Sequence, residues 1–214
     1  MSEEPVHRRS SYGQLHSLSA LDQLGVALSV RKIRSRVGSL DGRSLGDFGC
    51  GYDALLARSF LGHLARATLL DVALSSSVKS LAKVTAIEGV LPLAMREVPD
   101  SSLDVALCIS VLEHLSEPEE MLKELRRVLV PGGSCVISVP SWFGKRFLEF
   151  AAFTLKRASP EEMDDHKCYY DPKDLWPLLV DAGFLPHDIK CFRYKAGMNT
   201  FALCRVPFKE RTTP

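Results

Sequence analysis

The sequence has 214 residues, of which 46% are hydrophobic and 25% charged, as in one average globular domain with its own core. Its 27 basic and 26 acidic residues are interspersed and give a formal net charge of +1, which argues against a nucleic-acid partner. No apolar run approaches the roughly 20 residues that span a bilayer, so no stable membrane insertion is expected.

The six cysteines are scattered, and no two of them form a Cys-x-x-Cys pair. A disulfide framework or a zinc site needs clustered cysteines, so the pattern predicts neither. The charged first residues lack the apolar stretch of a signal peptide. These features predict a cytoplasmic protein with reduced thiols and no metal site.

The organisation of the chain predicts one domain over residues 1–214, since no repeat or low-complexity linker divides it. Residues 1–17 are polar and serine-rich and are expected to form a mobile arm. Residues 19–37 fit a helix loosely. The aromatic and charged segment 141–167 interrupts the strand pattern beyond a predicted strand end. This position favours a lid over a ligand crevice, with a membrane-surface helix over Trp142 to Arg157 as the alternative.

After Gly42, short apolar runs alternate with longer helical stretches, which is typical of a mostly parallel sheet covered by helices on both faces. The predicted strands are 44–48, 67–71, 83–87, 103–109, 134–139, 188–193 and 200–205. The fold class is therefore α/β, a doubly wound sheet of seven strands. In such sheets the ligand crevice lies at the carboxyl ends of the strands.

Two predicted helices have clear boundary signals. Ser116-Glu117-Pro118-Glu119 predicts a capping box with proline in the first turn, and Pro131-Gly132-Gly133 is expected to stop that helix. A later helix begins near Asp171-Pro172 and ends at Gly183. Pro177 is expected to kink it or to delay its start.

The first predicted strand runs into Asp47-Phe48-Gly49-Cys50-Gly51, and a helix follows. Glycines at such a turn allow a tight bend and let a ligand approach the backbone. Asp71 ends the next strand. The glycines alone fit a purely structural turn, a dinucleotide site or a site for S-adenosylmethionine (SAM).

Asp47 distinguishes between the two ligands. A pyrophosphate at this turn would lie near the Asp47 carboxylate, and like charges repel. SAM presents an ammonium and a sulfonium, which a carboxylate attracts. Asp71 suits either ligand because both carry a ribose, and Val72 offers an apolar surface to an adenine. The charges therefore favour SAM over NAD.

Several motifs in order carry a family resemblance over about residues 40–205. They are Asp47–Gly51, Leu70-Asp71, Val98–Asp104 followed by Val111–Leu115, Leu125–Gly133, and Asp181–Phe184. In these motifs the sequence resembles the class I SAM-dependent methyltransferases, in the branch that includes the ubiquinone-biosynthesis enzymes. The resemblance implies a Rossmann-like sheet whose last strand is antiparallel.

The resemblance also implies roles for matched residues. Asp47, Gly49 and Gly51, with Cys50 between the glycines, would hold the methionine end of SAM. Asp71 would bind the ribose. Many members have a third glycine where this sequence has Asp53, which we expect to cap the following helix.

The rim beside the sulfonium would be formed by Cys108, Ile109 and Ser110. Family members often have an acid soon after the third strand that accepts the adenine amino group. Val90 stands there in this sequence. We therefore expect backbone groups and apolar contact with Val90 and Leu91 to hold the adenine.

Two histidines are candidates for the catalytic base or for positioning the acceptor. His166 follows Asp164 and Asp165 and closes the irregular segment, although an exposed loop histidine is the structural alternative. His114 lies next to Glu113 after the fourth strand and could equally pack within the fold. A neutral imidazole can accept a hydroxyl proton near pH 7.

The expected function is transfer of a methyl group from SAM to a small-molecule acceptor, at oxygen. An NAD-dependent oxidoreductase is one alternative, disfavoured by Asp47. A catalytically silent protein that keeps the fold and binds SAM or a partner is another. The sequence carries no signal for an oligomeric state.

Overall fold

The computed structural model describes residues 11–14, 20–146 and 168–208, and of residues 20–22 the backbone only. The strands are β1 (Ser44–Phe48), β2 (Arg66–Asp71), β3 (Val84–Glu88), β4 (Leu103–Ile109), β5 (Leu129–Pro140), β6 (Ile189–Tyr194) and β7 (Asn199–Arg205). The helices are α1 (Ala20–Val37), α2 (Leu55–Arg58), α3 (Ser76–Lys79), α4 (Pro118–Arg127) and α5 (Pro172–Asp181). Short 3₁₀ helices span Leu93–Glu97, Leu112–His114 and Pro186–Asp188, and residues 142–146 are also helical.

The strands form one sheet in the order β3-β2-β1-β4-β5-β7-β6. β7 is antiparallel to both of its neighbours, β5 and β6. The other four neighbouring pairs, β3–β2, β2–β1, β1–β4 and β4–β5, are parallel. The predicted fold class, a doubly wound and mostly parallel seven-stranded sheet, is confirmed. The order reverses between β1 and β4, so the crevice of such a sheet lies at the carboxyl ends of these strands.

Apolar cores lie on both faces of the sheet because successive strand residues point to opposite sides. In β4, Ala106 and Cys108 belong to the core under α4 and α5, whereas Val105 and Leu107 belong to the core under α1, α2 and α3. None of the helices described is both long and apolar enough to cross a membrane.

Two boundary predictions were wrong, and one of the two effects expected of Pro177 is excluded. The N-cap of α4 is Glu117 rather than Ser116, and the Glu117 side chain makes no capping bond. The helix ends at Arg127, and Pro131-Gly132-Gly133 lies inside β5 rather than stopping the helix. Pro177 does not delay the start of α5, which begins at Pro172 after Asp171 N donates to Asp174 Oδ2 at 3.0 Å.

Candidate functional site

The turn after β1 has the conformation that glycine favours. Gly49 and Gly51 have φ of +79° and +77°, in the left-handed region that side chains disfavour. A Cβ on Gly49 would overlap the Val111 side chain. The Gly49 amide donates to the Leu70 carbonyl at 2.8 Å, which fixes the turn against the end of β2. The structure thus needs glycine at both positions.

Asp53 departs from the expected third glycine, and the backbone shows why this is tolerated. Positive φ falls on the next residue, Ala54, at 47°, and not on Asp53. Ala54 is also the N-cap of α2, and no side chain caps it. The expectation that Asp53 caps the helix was therefore wrong, because the helix starts one residue later.

Asp47 is a buried acid near the carboxyl end of β1, a central strand of the sheet. It lies between Leu69 of β2 and Leu107 of β4 in the strand register and is 1% exposed. Burial, with Asp71 nearby, raises its pKa to about 7, although a backbone hydrogen bond from Ala57 opposes the shift. Its Oδ2 has no hydrogen-bond partner among the described residues. Such an oxygen is suited to accept a bond from a cationic ligand.

Asp71 ends β2 and is half-buried. Its Oδ2 accepts a hydrogen bond from the Gly51 amide at 2.8 Å. Its Oδ1 accepts from the Val72 amide at 2.8 Å and from the Ser11 hydroxyl at 2.6 Å. The carboxylate therefore links the glycine turn, its own strand end and a residue sixty positions earlier in the chain.

The thiols of Cys50 and Cys108 lie close enough to the neighbouring acids for the carboxylate charges to affect their pKa. Burial raises the pKa of Cys50 well above its usual range, and the charges of Asp47 and Asp71 add to the shift. The pKa of Cys108 is also raised by burial, followed by the charges of Glu113 and Asp47. The ends of β1, β2 and β4 thus bring these predicted residues together, and neither thiol is activated.

The predicted rim after β4 is only partly open. The Cys108 side chain is fully buried, Ile109 is half-buried and Ser110 is exposed. Ser110 has φ of +56° and its amide donates to the Ser138 carbonyl at 2.7 Å, which joins the rim to β5. Side chains at the surface of the rim are therefore those of Ile109 and Ser110.

The side proposed for adenine lies at the ends of β2 and β3. Val72 is half-buried, Val90 is 36% exposed and Leu91 packs partly against a core. Sequence reasoning passed over Glu88, which pairs with Asp71 in the register. Its carboxylate accepts from the Leu74 amide at 2.7 Å and from Lys79 Nζ at 2.8 Å, and these bonds lower its pKa.

Of the two candidate histidines, the structure describes only His114. His114 ends a 3₁₀ helix beyond β4 and is half-buried. His166 lies outside the described residues. The chain after it returns to the crevice edge, because the Cys168 amide donates to the Glu113 carbonyl at 3.3 Å and the Tyr170 amide to the Pro140 carbonyl at 3.1 Å.

Sequence reasoning missed two residues at this edge. Glu113 is 1% exposed, although it was considered only as a neighbour of His114. Ser11 is 4% exposed and bonded to Asp71, although it lies within the expected arm. An acid beside a motif histidine was a usable signal for Glu113, whereas no local pattern marks Ser11.

An open cleft of about 860 Å³ lies elsewhere, between α1 and α2. Its lining includes Arg31, Arg34 and Leu55 but none of the predicted site residues. The acids and glycines at the strand ends, rather than this cleft, form the candidate site. These groups fit SAM. The buried Asp47 oxygen suits a cation, the glycine turn lets a ligand approach the backbone, and the Asp71 carboxylate suits the two hydroxyls of a ribose.

Comparison with known proteins supports this assignment. Residues 46–137 match the family model described as a methyltransferase domain, a region that begins in β1 and ends in β5. A relative from Aeromonas salmonicida (strain A449), named a ubiquinone biosynthesis O-methyltransferase, is 28% identical over 182 residues, covering 80% of this chain and 75% of the relative. The protein of the same name from Escherichia coli (strain K12 / DH10B) is 27% identical over 181 residues, covering 80% and 74%.

Solved structures share the fold at low sequence identity. A 1,6-didemethyltoxoflavin-N1-methyltransferase from Burkholderia thailandensis, with S-adenosylhomocysteine bound, has a TM-score of 0.63 at 17% identity and covers 87% of this chain and 80% of that one. A SAM-dependent methyltransferase from Aquifex aeolicus has a TM-score of 0.60 at 17% identity, covering 85% and 91%. These structural likenesses concern the fold alone. Together with the matched region, they show that the chain is similar to class I SAM-dependent methyltransferases, in sequence over residues 46–137 and in fold over most of its length.

Proposed function

We propose that this protein is a SAM-dependent methyltransferase that transfers the methyl group to an oxygen atom of a small-molecule acceptor. The observation that carries the donor site is the buried Asp47 carboxyl, with an unpartnered Oδ2 beside the glycine turn. Oxygen as the acceptor atom is supported by the names of the relatives that cover four fifths of this chain. The net charge of +1 favours a small molecule over nucleic acid.

Each part of SAM has a proposed partner. Asp47 binds the ammonium of the methionine end, and the backbone of the Gly49–Gly51 turn, including Cys50, lies against the same end. Asp71 accepts hydrogen bonds from the ribose hydroxyls. Val72, Val90 and Leu91 contact the adenine, and the chain at 108–110 borders the sulfonium.

Bound SAM supplies a methyl group on a positively charged sulfur, which is open to in-line displacement by an acceptor atom. The residues of this chain then have to align that acceptor, exclude water and receive its proton. No group at the described crevice edge is required to form a covalent bond with the substrate.

The aromatic residues beyond β5 are the proposed acceptor surface. Trp142 is 46% exposed and Phe143 is 48% exposed, at the end of a strand that borders β4. The Trp142 and Tyr169 ring centroids lie 5.5 Å apart, and Lys145 Nζ lies 5.5 Å and 5.0 Å from these two centroids. A flat, uncharged or anionic small molecule suits such a surface. Trp142 and Phe143 lie at the start of the segment 141–167, which is proposed to form a lid over the crevice.

His166 is the proposed general base or acceptor-positioning residue. His166→Ala is expected to lower turnover by about 10²–10⁴-fold, the usual contribution of a positioned base, and to leave SAM affinity unchanged. His114→Ala is expected to disturb both turnover and SAM affinity, because that residue lies beside the donor site. Turnover and calorimetric SAM binding on both variants separate the two. Full activity without His166 would remove it from the mechanism.

The acceptor atom is tested by methyl transfer from isotopically labelled SAM to matched pairs of phenols and anilines, and to sugars. The proposal expects label on the hydroxyl compounds and little on the amines. Transfer only to amines would overturn the assignment to oxygen. Labelling of RNA or DNA, with affinity that falls steeply with salt, would overturn the small-molecule assignment.

A further inference from the structure

Residues 11–14 form a turn that is seated on the proposed donor site. The Gln14 amide donates to the Ser11 carbonyl at 3.1 Å, and the Ser11 amide donates to Gln14 Oε1 at 3.0 Å. The turn is held to the crevice by the Tyr52 amide, which donates to the Tyr12 carbonyl at 2.9 Å. The same carbonyl lies 3.2 Å from where a Cβ on Gly51 would be. The turn therefore covers the glycine loop directly.

The Ser11 hydroxyl is the most enclosed group of this turn. It donates to Asp71 Oδ1 at 2.6 Å, lies 2.5 Å from the Ala73 carbonyl oxygen, and accepts from the Ala73 amide at 2.8 Å. Ser11 is only 4% exposed, whereas the next residue, Tyr12, is 43% exposed. A hydroxyl bonded to the acid at the end of β2 and to the adjacent backbone presents the same chemistry as a ribose hydroxyl.

The Asp71 carboxylate has too few acceptor positions to bind Ser11 and both hydroxyls of a ribose at once. An ionised carboxylate offers about four lone-pair positions, two on each oxygen. On Asp71, Oδ1 is filled by Val72 and Ser11, and Oδ2 already accepts from Gly51. One position remains, whereas the adjacent hydroxyls of a ribose bring two donors. Asp71 cannot accept from both ribose hydroxyls while Ser11 is bound.

We propose that residues 11–14 act as an autoinhibitory strap, in which the Ser11 hydroxyl occupies a ribose-hydroxyl position on Asp71 and must leave before SAM is fully bound. The inference rests on the proposed role of Asp71 as the ribose acid. The apparent dissociation constant for SAM is then raised by the fraction of molecules in which the strap is closed. Removing the Ser11 hydroxyl lowers that fraction.

The test is calorimetric titration of the full chain with SAM, comparing the wild type with Ser11→Ala and Ser11→Asp. The strap is expected to open in both variants, through loss of a hydrogen bond in the first and repulsion from Asp71 in the second, so SAM binds about tenfold more tightly. Ser39→Ala is the matched control, because Ser39 also donates to an aspartate, Asp41, at 2.7 Å but on the exposed surface. Its affinity is expected to equal that of the wild type.

Unchanged or weaker SAM binding in both Ser11 variants would overturn the strap, and weaker binding would identify the turn as a cover over bound SAM. The same titrations on Asp71→Ala separate this outcome from failure of the donor-site assignment. If Asp71 is the ribose acid, its loss weakens binding, and Ser11→Ala gives no further gain in that background. If SAM affinity is indifferent to Asp71, the assignment of the ribose site itself fails.

Discussion

Asp47 combines two properties that are costly together in a folded protein, complete burial and an acidic group. Burial raises its pKa to about 7, so near neutral pH the folded protein holds it partly as the acid. The unfolded chain ionises the same group near pH 3.8. The folded state therefore binds more protons between these values, and stability falls as the pH rises through this window.

This linkage predicts a measurable loss of stability. Between pH 5.5 and 8 the free energy of unfolding is expected to fall by about 2 kcal/mol through Asp47. Urea unfolding at the two pH values measures it. Asp47→Asn should remove most of the fall, whereas Asp181→Asn, at an exposed position, should retain it. A wild-type protein as stable at pH 8 as at pH 5.5 would contradict the burial of a titrating acid.

For single residues, the sequence predicted those that belong to a local motif. The positive φ of Gly49 and Gly51 follows from a strand that runs directly into a tight turn, and the glycine turn was predicted at these two positions. The contact of Ser11 with Asp71 joins residues sixty positions apart and depends on how the chain folds back. No periodicity or motif encodes such a contact, so it required the structure.

Among the elements, the bounds of β1 and β4 were predicted to the residue, and both strands are buried along most of their length. In β4 the run from Val105 to Ile109 is apolar, which is typical of a strand covered on both faces. β5 begins at Leu129, five residues earlier than predicted. Its first part pairs Leu129 with Leu103 before the register shifts, so backbone pairing extends the strand through a proline and two glycines. Side-chain pattern alone does not reveal this kind of extension.

Arg127 connects α4 to the loop before β4, a role that its motif context did not predict. Its guanidinium donates to the carbonyls of Met95 and Val98, both at 2.8 Å, and to both carboxylate oxygens of Glu124. The side chain is 26% exposed. Loss of these donors removes the Arg127 bonds to the Val98 carbonyl and the Glu124 carboxylate, whereas the Met95 carbonyl keeps a bond from the Val98 amide at 2.9 Å.

Arg127→Met is therefore expected to lower the free energy of unfolding by about 1–3 kcal/mol. Lys123→Met is the control, since Lys123 forms an exposed ion pair with Glu120 on the same helix, and such pairs contribute about 0–1 kcal/mol. Chemical denaturation of both variants measures the difference. Equal effects would show that Arg127 is no more than a surface charge.

The whole molecule assembles its candidate site from segments that are distant in sequence but end at one edge of the sheet. β1, β2 and β4 bring Asp47, Asp71 and Ser110 to that edge, and the chain at 168–170 returns to it. The topology was predictable because the strand pattern and the motif order both indicate it. The enclosure of the site by residues 11–14 was not, since short polar segments leave no such signal. The prediction of a single domain with an arm over 1–17 and a lid over 141–167 stays a prediction.

The central claim is that SAM binds at the ends of β1 and β2 through Asp71. Isothermal titration of the wild type, Asp71→Ala and the exposed control Asp41→Ala with SAM tests it most directly. Loss of the hydrogen bonds to an ionised acceptor, worth roughly 1.5–3 kcal/mol, should weaken binding by about one to two orders of magnitude in Asp71→Ala. Asp41→Ala should bind as the wild type does. A folded Asp71→Ala protein with unchanged affinity for SAM would contradict the account.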